Sequence, residues 1–456
     1  MKRKASTSLW RHAPFLKLWL GQTISLVGSQ VTLLALPLMG LLILHASAFQ
    51  MGLLGMVQYL PFLFVSLFAG VWIDHLPRRP ILILADIGRA ILLGCIPLLA
   101  LFHFLRMEYL YLLAGLIGLC TVFFDIAYTT FLPQLLSSEK LIEGNSKLQM
   151  SESLAQISGP GLAGFVIQVF SAPLALLIDA GSFLFSAAFL ASTHLRETSK
   201  AVQRKRKAQP LLVSIREGLH LVFTHPVLRA FAGCGGTANL CTNARLAILL
   251  LYLNRTLSLP AFLIGLLYTL GSFGSLLGAW HVQREIKRRG IGWVTLYTQV
   301  LAGGGALLIP GAFGAPWLSI GLLALAQAIW GYAAMGYSVA SLSLRQAMIS
   351  DEYLGRVTAT LRWIGWGGAS LGYLLGGIAG TYLGLRITLV LAGLGELLSA
   401  LWIFSSPLRT KSFSFSSPLT GDEAGEKEGN TTKEILLVDG LELENGEERK
   451  ASENAK

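Results

Sequence analysis

The segment "GVWIDHLPRRP" (residues 70–80) joins two long apolar runs and carries Asp74, His75, Arg78 and Arg79. The chain as a whole is 53% hydrophobic and only 13% charged. So much charge in so short a connection needs a physical reason. That reason depends on what the flanking apolar runs are.

The apolar runs are typical of membrane spans. Each is near the ~20 residues that a helix needs to cross the hydrocarbon core of a bilayer. Backbone polar groups in lipid must be satisfied within the segment, which favours helices, whereas a β-barrel would show short alternating segments. The sequence therefore predicts an all-α membrane protein with twelve transmembrane helices. They lie near residues 15–44, 50–73, 80–103, 108–135, 148–170, 173–194, 227–253, 260–283, 291–313, 316–344, 357–383 and 386–405.

The longest polar segment between the spans, residues 196–226, divides them six and six. It predicts a cytoplasmic linker between an N-terminal half (1–195) and a C-terminal half (227–405). Its second part, "LLVSIREGLHLVF", has the spacing of an amphipathic helix on the membrane surface. After the fourth span of each half, "LPQLLSSEKL" (132–141) and "LRQAMISDEYL" (344–354) align without a gap, which indicates two parallel six-helix repeats.

The distribution of Lys and Arg predicts the orientation. Of the 29 basic side chains before residue 406, 23 lie at the N-terminus or in one set of loops and three in the opposite turns. Since cytoplasmic loops carry an excess of basic residues, we expect both termini in the cytoplasm of a bacterial inner or plasma membrane. The net charge of +11 then reflects topology and anionic lipid, so we expect no nucleic-acid partner. Residues 406–456 are polar and predict a disordered cytoplasmic tail.

The opening segment resembles the loop signature of the major facilitator superfamily through Gly70, Asp74, Arg78 and Arg79. It departs from the common form because His75 replaces the usual Arg and Pro77 the usual Gly. The resemblance implies a gate, in which the Asp74 carboxylate caps a facing helix and pairs with bases when the cytoplasmic side is closed. For Arg78 and Arg79, a role in topology alone is an equal alternative.

Two further features extend this gate hypothesis. Asp86 and Arg89, near the cytoplasmic end of the third span, could support the gate. The equivalent loop of the second half, "GAWHVQREIKRRG", keeps Gly278 and its bases, but Val282 stands where the acid would be. We therefore expect only the first-half gate to function.

Other segments resemble the exporter branches of this superfamily. "SGPGLAG" (158–164) resembles their Gly-Pro motif through Gly159, Pro160 and Gly164. Segments 21–38, 176–187 and 215–229 resemble the macrolide-efflux and enterobactin-exporter branch. The resemblance covers roughly residues 12–405 and implies the major facilitator fold with export as the direction of transport.

Charged side chains within spans are costly, so each asks for a reason. In the resembling fold the first, fourth, seventh and tenth spans line a central cavity, which places Asp125 and Arg245 there. Asp125 could carry a proton, and Arg245 could hold an anionic group; a buried ion pair that fixes packing is the alternative. For Asp179 and Glu396, on peripheral spans, we expect a structural role. Polar side chains on cavity spans could bind substrate or neighbouring helices: Gln22, Gln30, Asn239, Asn243 and Gln327.

Glycines Gly368, Gly372, Gly376, Gly380 and Gly384 recur every four residues in the eleventh span and predict close helix packing, compatible with a sliding interface. The formal "GASLG" of that span lacks the strand–turn–helix context of a nucleophile elbow. No P-loop or HExxH motif occurs, and the four cysteines all lie in apolar runs. We therefore expect no enzyme activity, metal or cofactor.

These features together predict a monomeric secondary active exporter of a small amphipathic organic molecule, such as a drug, macrolide or siderophore. Its partners would be that substrate, protons and membrane lipids, with proton antiport by alternating access. Two alternatives remain open. The chain could be a non-transporting membrane scaffold or sensor, or it could take its substrate up.

Overall fold

The computed structural model describes residue 9 and residues 12–65, 76–136, 138–193 and 211–409. The predicted gate residues Gly70 and Asp74 lie outside these residues, as do residues 196–210 of the predicted linker and 410–456 of the predicted tail. The described ranges consist of helices joined by short connections. The helices are α1 (Ala13–Leu42), α2 (Ala48–Phe64), α3 (Arg78–Leu101), α4 (Met107–Leu135), α5 (Ser138–Phe170), α6 (Ala172–Ala191), α7 (Leu211–Thr224), α8 (Pro226–Leu251), α9 (Ala261–Arg289), α10 (Ile291–Leu308), α11 (Pro316–Met348), α12 (Asp351–Tyr382), α13 (Leu385–Leu398) and α14 (Ala400–Phe404).

Every predicted apolar run contains one of these helices, with α13 and α14 sharing the last run. In the described part of the chain nine helices are long and apolar enough to cross a membrane, and α2 is a shorter apolar helix. Helices α8 and α12 are long enough but not among these nine, because their Gly, Asn, Thr and Arg residues lower their mean hydropathy. The count of twelve spans therefore stays a prediction.

The two halves repeat one packing pattern. In the N-terminal half the most extensive contacts join α1 to α5 and α6, α3 to α4 and α6, and α2 to α4. In the C-terminal half the helices at the same positions, α8 to α13, pair in the same way: α8 with α12 and α13, α10 with α11 and α13, and α9 with α11. This is the arrangement that a six-helix repeat running in one direction predicts.

The halves meet through two reciprocal helix pairs, α2 with α12 and α5 with α9. A Cβ built on Gly52 of α2 would lie 2.7 Å from the Gly377 Cα of α12. A Cβ built on Gly164 of α5 would lie 3.0 Å from the Gly265 Cα of α9. Small residues are therefore needed at both crossings, because they let the two backbones touch.

The Gly-Pro motif forms the second of these crossings. A Cβ on Gly265 would lie 2.4 Å from the Pro160 carbonyl oxygen, and one on Gly161 would lie 2.8 Å from the Thr269 hydroxyl. One turn further along, Ser272 donates a hydrogen bond of 2.6 Å to the Gln156 carbonyl oxygen. Pro160, Gly161 and Gly164 of the motif that resembles exporters thus form one of the two surfaces by which the halves meet, while Gly159 packs against Gln30 of its own half.

The four-residue glycine repeat of α12 packs inside the C-terminal half. A Cβ on Gly372 or on Gly376 would lie 2.2 Å from the carbonyl oxygen of Leu240 or Ala244 of α8. The predicted close packing is therefore present. The contact with the other half is made mainly by other α12 residues, among them Gly377 and Tyr373, although a Cβ on Gly380 would also lie 3.1 Å from the Ala48 Cβ. The prediction is wrong for Gly384, which follows the end of α12 at a φ of +84°, where a Cβ would meet nothing within 4 Å.

The described part of the linker is the amphipathic helix α7, which packs on the beginning of α12. Glu217 forms an ion pair with Arg356, and a Cβ on Gly218 would lie 2.7 Å from the Thr360 hydroxyl. Leu221 and Val222 are buried. Its C-terminal part is therefore anchored on the C-terminal half, while Val213 and Phe223 stay exposed.

We predict that Gly376→Ala destabilises the C-terminal half, because the added methyl meets backbone that no side-chain rotation can move. Overpacking of this kind costs about 1–3 kcal/mol. The matched control is Gly304→Ala in α10, where a Cβ meets nothing within 4 Å and helix propensity improves by about 0.5–1 kcal/mol. Thermal unfolding of the purified protein should show a lower midpoint for the first variant only; equal midpoints would contradict the packing.

Candidate functional site: two cavities along the bundle

A central cavity of about 280 Å³ lies between the halves. Both halves supply its walls, with Gln30 and Tyr59 from one side and Tyr268 and Tyr373 from the other. Tyr59 and Tyr373 stack across the interface with ring centroids 5.5 Å apart. The cavity is mainly apolar and aromatic, with a few polar side chains, which is the usual character of small-molecule sites.

The bundle has two ends, which we name by their loops. The basic end carries residues 76–77, 192–193 and 289–290, and the far end carries residues 43–47, 252–260 and 383–384. At the far end the halves are joined, because Arg255 donates a hydrogen bond of 2.9 Å to the Ala46 carbonyl oxygen. The glycine crossing of α5 with α9 lies toward the same end.

A second cavity, of about 440 Å³, lies within the C-terminal half and is lined by α8, α10, α11, α12 and α13. We call it the C-half cavity. Its walls include Asn239, Trp330, Arg345, Arg362 and Glu396. Trp330 also lines the central cavity, so the two spaces share a wall.

Arg245 and Glu396 form a buried ion pair beside this shared wall. The Arg245 Nε lies 3.9 Å from the Glu396 Oε2, and the side chains are 1% and 3% exposed. The other carboxylate oxygen accepts hydrogen bonds from Trp330 Nε1 at 2.8 Å and from Thr242 at 2.9 Å. The Arg245 guanidinium also lies 4.8 Å from the centre of the Trp330 ring. The structure thus places Arg245 in a buried ion pair, which was the alternative to binding an anionic group. Its partner, Glu396, also lines the C-half cavity.

Asp125 of α4 is exposed although protein surrounds it, so it faces an open space rather than the packed core. It interacts electrostatically with Arg89 and Glu152 of its own half and with Arg362 of the other half. No hydrogen bond to its carboxylate is formed by the side chains that the structure describes. Asp125 is therefore an exposed carboxylate of the N-terminal half that interacts with Arg362, a residue of the C-half cavity.

Asp86 and Arg89 form an ion pair inside the N-terminal half. The Arg89 guanidinium lies 4.2 Å from the ring centre of Phe124 and 4.1 Å from that of Phe183. The pair thus connects α3 to α4 and α6, which stabilises the half that would carry the gate. Its participation in the gate stays a prediction.

Arg79 binds the C-terminal end of α6. Its Nε donates a hydrogen bond of 3.0 Å to the Leu190 carbonyl oxygen, and its guanidinium also bonds the Ala191 carbonyl. Lys17 donates to the neighbouring Ser192 carbonyl at 2.8 Å. Cations at a helix C-terminus satisfy the last carbonyls and complement the helix dipole. Arg79 therefore has a structural contact of its own, and Arg78 is the first residue of α3.

The predicted polar residues divide between the cavities and the packed interior. Gln30 lines the central cavity, and Asn239 lines the C-half cavity. Asn243 donates a hydrogen bond of 2.7 Å to the Asn239 carbonyl, one turn back on the same helix. Gln22 and Gln327 lie outside both sets of walls. The structure thus brings two of the five to a cavity.

Sequence reasoning missed the aromatic walls and the arginine pair Arg345 and Arg362. An aromatic residue in a span has the same pattern whether it faces lipid or a cavity. Arg362 did carry a usable signal, since a charge within a span marks a pathway by default. Among the residues that the structure describes, no group of three or more His, Cys, Asp or Glu is placed to hold a metal ion.

We predict that Glu396→Ala strongly destabilises the fold, because it leaves Arg245 buried without its carboxylate and Trp330 Nε1 without an acceptor. Breaking a buried pair typically costs about 3–5 kcal/mol. The double variant Arg245→Met with Glu396→Leu should be milder, since no charge is stranded. The control Glu143→Ala removes a helix-surface pair, in which Lys147 lies 3.5 Å away, and should cost under about 1 kcal/mol.

Thermal unfolding of the purified variants measures this order. A single variant no less stable than the double variant would show that the Arg245–Glu396 contact does not hold the helices together.

Comparison with known proteins identifies the family. The profile of the Major Facilitator Superfamily matches residues 18–359. The uncharacterized MFS-type transporter YfiS of Bacillus subtilis (strain 168) is 28% identical over 385 residues, covering 82% of this chain and 88% of that protein. The multidrug efflux pump Tap of Mycolicibacterium fortuitum is 28% identical over 399 residues, covering 85% and 94%.

Solved structures show the same fold. A bacterial homologue of the iron transporter ferroportin, in an inward-facing state, superposes with a TM-score of 0.71 at 17% identity, covering 89% of this chain and all of that one. The nucleoside transporter NupG superposes with a TM-score of 0.67 at 13% identity, covering 86% and 98%. With a matching profile over most of its length and this fold, the chain is a multi-pass membrane protein that belongs to the Major Facilitator Superfamily.

Proposed function

We propose that this protein is a secondary active exporter of small amphipathic organic molecules that works by alternating access. The observation that carries the proposal is the central cavity, because both halves wall it and the halves are joined beyond it at the far end. A site between two rocking halves can open to either side in turn. The central cavity and the C-half cavity, which share Trp330 as a wall, bind the substrate, and the movement of the halves transports it.

The basic end is the cytoplasmic end in this proposal, as the distribution of Lys and Arg predicts. The Arg255–Ala46 hydrogen bond then closes the external side. Asp125 faces the space that opens toward the cytoplasm. Asp74 and the basic loop around it would stabilise the opposite, cytoplasm-closed state.

The substrate class rests on the cavity walls and on a relative. Aromatic rings at the centre suit an apolar body, and Gln30 supplies hydrogen bonding. Tap, similar over most of the chain, is a multidrug efflux pump. The Gly-Pro motif at the α5–α9 crossing favours export, and the macrolide-efflux and enterobactin-exporter branch stays a prediction.

Asp125 is the proposed proton carrier. A carboxylate that exchanges a proton must be reached from water and must sense the other half of the protein. Asp125 is exposed and interacts with Arg362 across the interface. Protonation would remove that attraction, which gives the proton a direct effect on the approach of the two halves.

The test is flux in proteoliposomes under an imposed pH gradient, with a panel of macrolides, catechol siderophores and cationic dyes. We expect saturable efflux that depends on the gradient. Asp125→Asn should retain substrate binding but lose the dependence on the gradient. The control Glu108→Gln removes an exposed carboxylate from the far end of the same helix and should transport normally.

The outcomes separate the alternatives. Gradient-dependent accumulation in the uptake direction would overturn export. Absence of flux for the whole panel, in protein with normal thermal stability, would favour the scaffold or sensor. Unchanged coupling in Asp125→Asn would exclude Asp125 as the proton carrier.

A further inference from the structure

We propose that Arg345 and Arg362 form a binding subsite for an anionic group, so that preferred substrates carry a carboxylate or phosphate-type oxyanion on an apolar, ring-containing body. The inference rests on the proposed function and names the substrate chemistry of the C-half cavity. Both guanidinium groups line that cavity, Arg345 from the basic end of α11 and Arg362 from α12.

The pair differs from the arginines that form ion pairs in this structure. Arg89, Arg245, Arg289 and Arg356 each lie within 4 Å of a carboxylate, those of Asp86, Glu396, Glu285 and Glu217 respectively. Arg345 and Arg362 have no carboxylate within that distance among the side chains that the structure describes. The Arg345 Nε donates to the Ser341 carbonyl at 3.2 Å, which leaves its terminal nitrogens for a ligand.

Two neighbouring guanidinium groups in one cavity repel each other, and Arg345 and Arg362 do interact electrostatically. A bound oxyanion would turn this repulsion into attraction. Guanidinium groups present N–H donors in a planar fork that matches the two oxygens of a carboxylate or phosphate. Because Arg stays charged at all physiological pH values, the cations themselves persist while the anion comes and goes.

The rest of the cavity suits the body of such a molecule. Trp330, Tyr337 and Trp366 present aromatic surface, and Asn239 and Ser338 add hydrogen-bonding groups. Its volume of about 440 Å³ falls within the usual range of small-molecule sites. Glu396 also lines the cavity, but Arg245, Trp330 and Thr242 already engage it, so it does not neutralise the arginine pair.

Asp125 is the natural competitor for this subsite. It attracts Arg362 from the opposite half but does not approach within 4 Å. When it is ionised, it competes with the substrate anion for the same guanidinium. Asp125→Asn should therefore bind the anionic substrate at least as tightly as the wild type, whereas loss of the arginines weakens binding.

The experiment measures equilibrium binding to the full chain in phosphatidylcholine nanodiscs, with no ion gradient. The probes are matched acid and ester pairs: rhodamine 110 with its methyl ester rhodamine 123, and fluorescein with its methyl ester. Each pair shares one ring system and differs in the carboxylate. Fluorescence anisotropy gives the two dissociation constants and their ratio.

We expect the wild type to bind the acid of at least one pair about ten- to a hundredfold more tightly than its ester, as charge-assisted hydrogen bonds allow. Arg345→Gln with Arg362→Gln should bring that ratio close to one while ester binding changes little. Arg345→Lys with Arg362→Lys should keep part of the wild-type ratio, since lysine has the positive charge but lacks the planar N–H fork of the guanidinium group. Arg288→Gln, which removes an exposed charge near the basic end of α9, should keep the wild-type ratio.

A ratio near one in the wild type, or no binding of any acid, would overturn the inference. An unchanged ratio in the double Gln variant would do the same. If added phosphatidylglycerol displaces the acid in wild type but not in the double Gln variant, the subsite accepts lipid phosphate as well, and the oxyanion assignment stands. Since no gradient is used, acid-selective binding without flux in proteoliposomes would refute the transport proposal alone.

Discussion

Two backbone crossings, Gly52 on Gly377 and Gly164 on Gly265, set the distance between the halves. At each crossing the two helices touch through backbone and have no room for a side chain. In lipid the hydrophobic effect does not drive helices together, and close packing takes its place. The central cavity lies between these two lines of contact, with Gly55 and Tyr373 on one flank and Pro160 on the other.

The interior charges divide by what surrounds them. Asp86–Arg89 and Arg245–Glu396 are closed pairs with aromatic rings against their guanidinium groups, and they connect helices within one half. Asp125, Arg345 and Arg362 form no ion pair with any side chain that the structure describes, and Asp125 interacts with Arg362 from the opposite half. Charges of the first kind fix packing, and charges of the second kind can respond to a proton, a substrate or the other half.

Much of the architecture follows from the sequence, because a bilayer leaves helices as the solution for long apolar runs. The loop motif was enough to indicate the family, although Gly70 and Asp74 lie outside the described residues. Which residues contact each other across helices was harder to predict. The sequence places Arg245 and Glu396 on different spans, and only tertiary packing brings them together. The α12 glycines predict a smooth face, but not that α8 occupies most of it.

The central claim is that the two halves alternate, and paired spin-label distances test it most directly after the four native cysteines are replaced. One pair, Gln134→Cys with Gln346→Cys, reports the basic end, and another, Phe104→Cys with Trp317→Cys, reports the far end; all four positions are exposed. Substrate and a change of pH should shorten the basic-end distance while lengthening the far-end distance. Two distances that stay fixed, or that change in the same direction, would contradict alternating access.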